Sequence, residues 1–145
     1  MMKKYFILLV VPFLLLTGCN AGPAEATQQE ELEANVMTIH NDAMAKMGDI
    51  YKLRRNFRSL RDTLAAQQAD TVTLQALQQQ IDELNQADEV MMVWMRNYSA
   101  PDTLQYEQAM NYLQQELKKI ERVQTVMDST IQAARQTYQQ YEQQK

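Results

Sequence analysis

The chain has 145 residues, a formal charge of −4, three glycines, three prolines, one cysteine, one histidine and ten methionines. One small domain is expected at that length. The few glycines leave no glycine-rich phosphate loop, the lone cysteine no disulfide framework, and the lone histidine no multi-histidine zinc centre. The acidic balance excludes a general pull towards nucleic acid.

Met1-Met2-Lys3-Lys4 is a short positive start, and Tyr5 to Leu16 is an apolar run. A transmembrane helix needs about 20 such residues, so this run is short for a span and fits the apolar region of a secretory signal. It ends in Leu16-Thr17-Gly18-Cys19, which resembles the lipobox of bacterial lipoproteins. That resemblance implies a signal peptide over 1–18 and a mature chain that starts at Cys19, acylated on its thiol and amine. Several acyl chains anchor stably where one is marginal. Of the 14 basic residues, Lys3 and Lys4 are lost, which leaves 12 against 18 acidic ones and a charge near −6. Residues 19–27, with Gly22 and Pro23 among small side chains, read as a flexible tether. No acidic run follows Cys19, so the expected location is the cell envelope, on the outer membrane facing the periplasm.

Residues 28–145 are expected to form an all-α, antiparallel up-down-up three-helix bundle with coiled-coil-like seams. Helix spacing over 28–69 is carried by Leu32, Val36, Ile39, Ala43, Met47, Ile50, Leu53, Phe57, Leu60 and Leu64, in steps of three and four. Asp70-Thr71-Val72-Thr73 is a break with capping chemistry. The second helix is expected over 72–98, along Leu74, Leu77, Ile81, Leu84, Asp88, Met91, Met95 and Tyr98. Pro101 interrupts the ladder, and Asp102 with Gln105 resembles a capping box. The third helix is expected over 103–143, along Tyr106, Met110, Leu113, Leu117, Ile120, Gln124, Met127, Ile131, Ala134, Tyr138 and Tyr141.

Folding the chain back near 70 and 100 sets a register. Lys52 should face Asp88 and Glu89, and Arg58 should face Asp82 and Glu83. Asp88, on an apolar line, should pair with Lys52 or a neighbouring arginine, or lie at the bundle edge. The outer helices, each roughly 60 Å long against about 40 Å for the middle one, should overhang it. Tyr138 and Tyr141 at the overhang are candidates for a homodimer or a contact with an envelope protein, and the simpler expectation is a frayed, glutamine-rich end.

The same register gathers Met44, Met47, Met91, Met95 and Met110 near His40 and Trp94. Gly48 sits here at a cost of about 1 kcal/mol relative to alanine, which close approach of the Trp94 indole would explain. Three readings stay open for this cluster. Methionines fill irregular core space and pack on aromatic rings. Thioethers with an imidazole suit Cu(I) or Ag(I), and an indole face could cap the ion. A methionine-rich groove can also dock a partner helix. No nucleophile, base and orienting group fall within one register, because Ser59, Ser99 and Ser129 lack a nearby histidine. A non-enzymatic protein is therefore expected, with the membrane as partner through its lipid.

Ile39-His40-Asn41-Asp42-Ala43-Met44-Ala45-Lys46-Met47-Gly48-Asp49-Ile50 and Ala87-Asp88-Glu89-Val90-Met91-Met92-Val93-Trp94-Met95-Arg96-Asn97-Tyr98 resemble the two signature stretches of a family of small helical lipoproteins. Its members are sometimes labelled "viral A-type inclusion protein". The family pattern has His-Asp-Glu where this chain has His40-Asn41-Asp42, and often Asp in place of Val93. The resemblance implies envelope localisation and two helices whose motifs belong together.

Overall fold

A computed structural model describes residues 23–142. The expected signal segment, Cys19 and the first part of the tether lie outside the described residues, as do the last three positions. The described residues form four α-helices: α1 (Pro23–Ala45), α2 (Met47–Ala66), α3 (Thr71–Asn97) and α4 (Tyr106–Glu142). Pro23 to Thr27 are helical rather than tether. Proline suits a first helical position, since that N–H has no intrahelical acceptor and the fixed φ is already helical.

The first expected helix is broken at Lys46. The Lys46 N–H donates to Ala43 O (3.0 Å) and the Asp49 N–H to Lys46 O (3.0 Å), both three residues back, so the ladder tightens for one turn. Gly48 lowers helix propensity beside the break. The consequence is tertiary. α1 lies chiefly along α4, α2 lies chiefly along α3, and the backbones of α1 and α3 scarcely approach.

Each reversal has a chemical cause. α2 ends where Gln68 takes φ 60°, with its N–H on Ala65 O (3.1 Å) and the Ala69 N–H on Leu64 O (3.0 Å). That pair of bonds is a Schellman closure, built with glutamine where glycine is usual. Asp70 then caps α3, accepting from Thr73 N–H (2.9 Å) and the Thr73 hydroxyl (2.7 Å). At the second reversal the expected Asp102 cap gives way to a separate turn, in which the Leu104 N–H donates to Pro101 O (3.0 Å). α4 begins three residues later than expected, and Ala109 N–H bonds Gln105 O (2.9 Å).

Long-range contacts set the directions. Tyr106 Oη donates to Gln28 Oε1 (2.6 Å), Lys46 pairs with Asp128 (2.5 Å) and Arg135 with Asp49 (2.7 Å). Residues that rise together along both rods make α4 parallel to α1 and α2. α3 runs the other way, since Arg61 Nη1 donates to Gln78 Oε1 (2.5 Å) and Arg54 Nη1 to Asn85 Oδ1 (2.9 Å). Fully buried Ile50, Phe57, Leu77, Leu84, Met91, Ile120 and Met127 fill the space between them. The overhang at the C-terminal end is not free. Tyr138 meets Phe57 edge-on with ring centroids 5.5 Å apart, and Tyr141 also packs on the core.

Candidate functional site

The two flanks that matter are marked by contacts. On α1, Glu33 accepts a hydrogen bond from Tyr98 Oη (3.1 Å) and His40 lies 5.4 Å from Trp94 between ring centroids. Glu33, Met37, His40 and Met44 recur at helical spacing, so this flank of α1 is turned to α3. On α3, Arg54 of α2 reaches Asp88 (3.1 Å), and Met92 and Met95 follow Asp88 along the same flank. Below the break at Lys46 this flank is covered by α2. Above it α1 has swung towards α4, and Met92 and Met95 are left 36% and 38% exposed. The side-chain contacts shown between α1 and α3 are thus His40 with Trp94 and Glu33 with Tyr98.

A run of rings lies where α1 and α3 meet. Trp94 is buried, stacked on Tyr98 (centroids 4.9 Å, 27°) and tilted by 32° from His40. Tyr98 in turn lies 6.2 Å from Tyr112, whose hydroxyl oxygen accepts from Ser99 N–H (3.0 Å). Large rings fill the gap that two separated helices leave. Burial, then the hydrogen bond to Glu33 and its charge, push the Tyr98 phenol up. Trp94 Nε1 is buried with no hydrogen-bond partner among the described residues.

The sequence-expected residues divide. His40 meets Trp94, Met44 lies one turn on from His40 and packs on the core, and Met95 is exposed on α3. Met47 and Met91 are buried in the core. Met110 lies beside the second reversal, because Tyr98 is level with Tyr112; it is roughly 13 Å along the axis from the level of Met91. Gly48 does not receive the indole. A Cβ there would meet nothing within 4 Å, so the expected close approach is absent and the position faces solvent. Of the two expected cationic partners for Asp88, the neighbouring arginine is the one found, as Arg54, and not Lys52. Lys52 and Arg54 flank Leu53 on opposite sides of α2, and only the Arg54 side faces α3. Arg54 also stacks 4.8 Å over the Tyr51 ring.

One residue escaped the sequence pattern. Glu116 is 3% exposed on the core stripe of α4 and accepts from Lys119 Nζ (2.6 Å), which raises the lysine above its ordinary value. The expected stripe ran through Leu117 and placed Glu116 on the surface. Three-residue spacing to a lysine was the available signal.

Known proteins give no further handle. The chain matches no family model, no curated protein and no solved structure. The stretches 39–50 and 87–98 meet at the His40–Trp94 contact. Among the described residues no group of three or more histidine, cysteine, aspartate or glutamate side chains could hold a metal ion. None of the described helices is long and apolar enough to cross a membrane.

Proposed function

We propose that this protein is a lipid-anchored helical module of the bacterial cell envelope that acts by holding and presenting surfaces, not by turnover. The observation that carries the reading is Leu16-Thr17-Gly18-Cys19 at the end of a positively started apolar run. The fold is compatible with it. α1 begins at Pro23, so a helical rod starts almost directly after the anchor and extends roughly 65 Å to the end of α2. Heptad-like spacing along α2, α3 and α4 gives the seams a coiled-coil character. The shallow outer face of α2, around Gly48, Tyr51, Lys52 and Arg55, is a basic surface on an acidic chain.

The test is the mature N-terminus. Expressed in a bacterial host, the chain should yield a membrane-bound product whose mass fits cleavage before Cys19 plus acyl groups. Cys19→Ser should abolish both the cleavage and the added mass. A wild-type product that keeps residues 1–18, or that carries no lipid, overturns the proposal.

A further inference from the structure

The antiparallel pair α2 and α3 forms a layer whose two helices are opposite in charge. α2 carries five basic against two acidic residues and α3 four acidic against one basic, so they hold +3 and −3. Lys52, Arg55 and Arg58 are exposed and make no hydrogen bond or ion pair among the described residues. Asp82 and Glu83 are met only by glutamine side chains there, those of Gln78, Gln79 and Gln80. The same layer exposes apolar side chains. Among the described residues α1 and α4 expose no large one, whereas α2 exposes Tyr51 and α3 exposes Val72, Met92, Val93 and Met95. We infer that the outward face of α2 and α3 is the interface of a two-fold homodimer, in which α2 of one copy lies on α3 of the second. The inference names a partner for the basic surface of α2 and does not depend on the lipid anchor.

Contacts within the chain fix which residues are level. Arg54 Nη1 donates to Asn85 Oδ1 (2.9 Å) and Arg61 Nη1 to Gln78 Oε1 (2.5 Å). Arg58 stands between those two arginines and Asp82 between their two acceptors, so exposed Arg58 and exposed Asp82 are level at one outer edge of the seam. The same register sets Lys52 level with Glu89 and Tyr51 level with Val90. Shallow depressions mark both helices, at Tyr51, Lys52 and Arg55 on α2 and at Glu89, Val90 and Val93 on α3. Two copies can stack this face in two ways. A two-fold axis across the helices lays α2 on α2, positive on positive. An axis along the helices lays α2 on α3 with every level unchanged. Arg58 then meets Asp82 of the second copy, Lys52 meets its Glu89 and Tyr51 meets its Val90. Each contact occurs twice, as a self-complementary face requires. Repulsion opposes the first arrangement and attraction favours the second. The second also leaves both chain starts at one end, the arrangement that two anchors in one membrane need. The overlap of 48–66 with 75–93 is roughly 27 Å long and two helices, about 20 Å, wide. It covers roughly 500 Å² per copy and about 1,000 Å² in all, where specific interfaces begin. A salt-sensitive, concentration-dependent dimer follows.

The test uses the full chain with Cys19→Ala in density-matched detergent, so that acylation plays no part. Sedimentation equilibrium should show one copy giving way to two as the protein is concentrated through the micromolar range, and about 1 M salt should shift that transition to higher concentration. Lys52→Glu with Arg58→Glu should weaken the dimer by about tenfold or more, and Asp82→Lys with Glu89→Lys by as much. Mixed together, the two variants should dimerise again, because each then offers the charge that the other's face needs. Glu107→Lys with Glu121→Lys, exposed on α4, should change nothing. Helical content should match the parent in every variant and reports folding separately. A parent that stays single through that range overturns the interface. So does a dimer indifferent to either reversal, or a mixture of folded variants that fails to reassociate. A single chain that binds phosphatidylglycerol vesicles through Lys52 and Arg58 overturns it as well and gives these cations to a lipid surface.

Discussion

Two backbone positions carry residues that local conformation does not favour. Gly48 lies in the first turn of α2 with ordinary helical φ, faces solvent, and has open space where a Cβ would go. Glycine there loses more chain entropy on folding than alanine would. Gly48→Ala should therefore stabilise the protein by about 0.5–1 kcal/mol, read as a higher urea midpoint with an unchanged slope. Unchanged or lower stability would show that the weak turn at Lys46 needs the glycine. Gln68 is the opposite case. It holds φ 60° in the closure of α2, a conformation that costs an L residue and suits glycine. Gln68→Gly should stabilise by a similar amount, about 0.5–1 kcal/mol. Because the two positions are in separate turns, the double variant should show the sum of the two effects. Neither feature was visible in the spacing of apolar residues. Gly48 was legible as an anomaly, but its neighbour was not, since the Trp94 indole meets His40, about two turns before Gly48.

At the scale of helices, what could be read depended on whether chemistry or pattern carried the signal. The Asp70 break was readable because a capping side chain names its own position. The expected cap at Asp102 failed because Pro101 and Leu104 close a turn of their own before α4 starts. The α4 stripe was read one residue off at Met110, Leu117 and Gln124, where Ala109, Glu116 and Val123 are buried. α4 touches α1, α2 and α3, so its buried face is wide and two adjacent lines satisfy the same spacing. Of the candidate cluster, the meeting of His40 with Trp94 was legible; spacing placed its methionines at one level, whereas burial separates Met47 and Met91 in the core from Met95 at the surface.

Asp70 also gives a pH dependence. The Thr73 N–H, then the Thr73 hydroxyl, hold its carboxyl below the ordinary carboxylate value. A depressed folded-state pKa means that the unfolded chain takes up the proton first as pH falls. The cap's contribution is thus present above the unfolded value of 3.8 and is lost as pH drops through the lower folded value. Asp70→Asn keeps an acceptor for Thr73 N–H but cannot titrate. Its melting midpoint should sit slightly below the parent at pH 7 and converge with it near pH 2. A gap that stays constant with pH would remove Asp70 as a titrating cap.

At the scale of the whole molecule, the parallel course of α1 and α4 decides which end would meet a membrane. Cys19 is four residues from Pro23, a reach of at most about 14 Å. The Tyr106–Gln28 and Tyr98–Glu33 bonds put the α3–α4 reversal at the same end as that start. The α2–α3 reversal is a full rod away, roughly 65 Å along the axis. Each reversal carries one exposed apolar side chain, Leu104 at 42% and Val72 at 75%. They serve as matched labelling positions. With Cys19 acylated, Leu104→Cys or Val72→Cys supplies the only free thiol for a fluorophore. In vesicles that contain a lipid-borne quencher, the label at 104 should be quenched several-fold more strongly than the label at 72. Equal quenching would mean that the rod lies flat. The reverse order would mean that residues 19–22 fold back along the bundle and deliver the anchor to its other end.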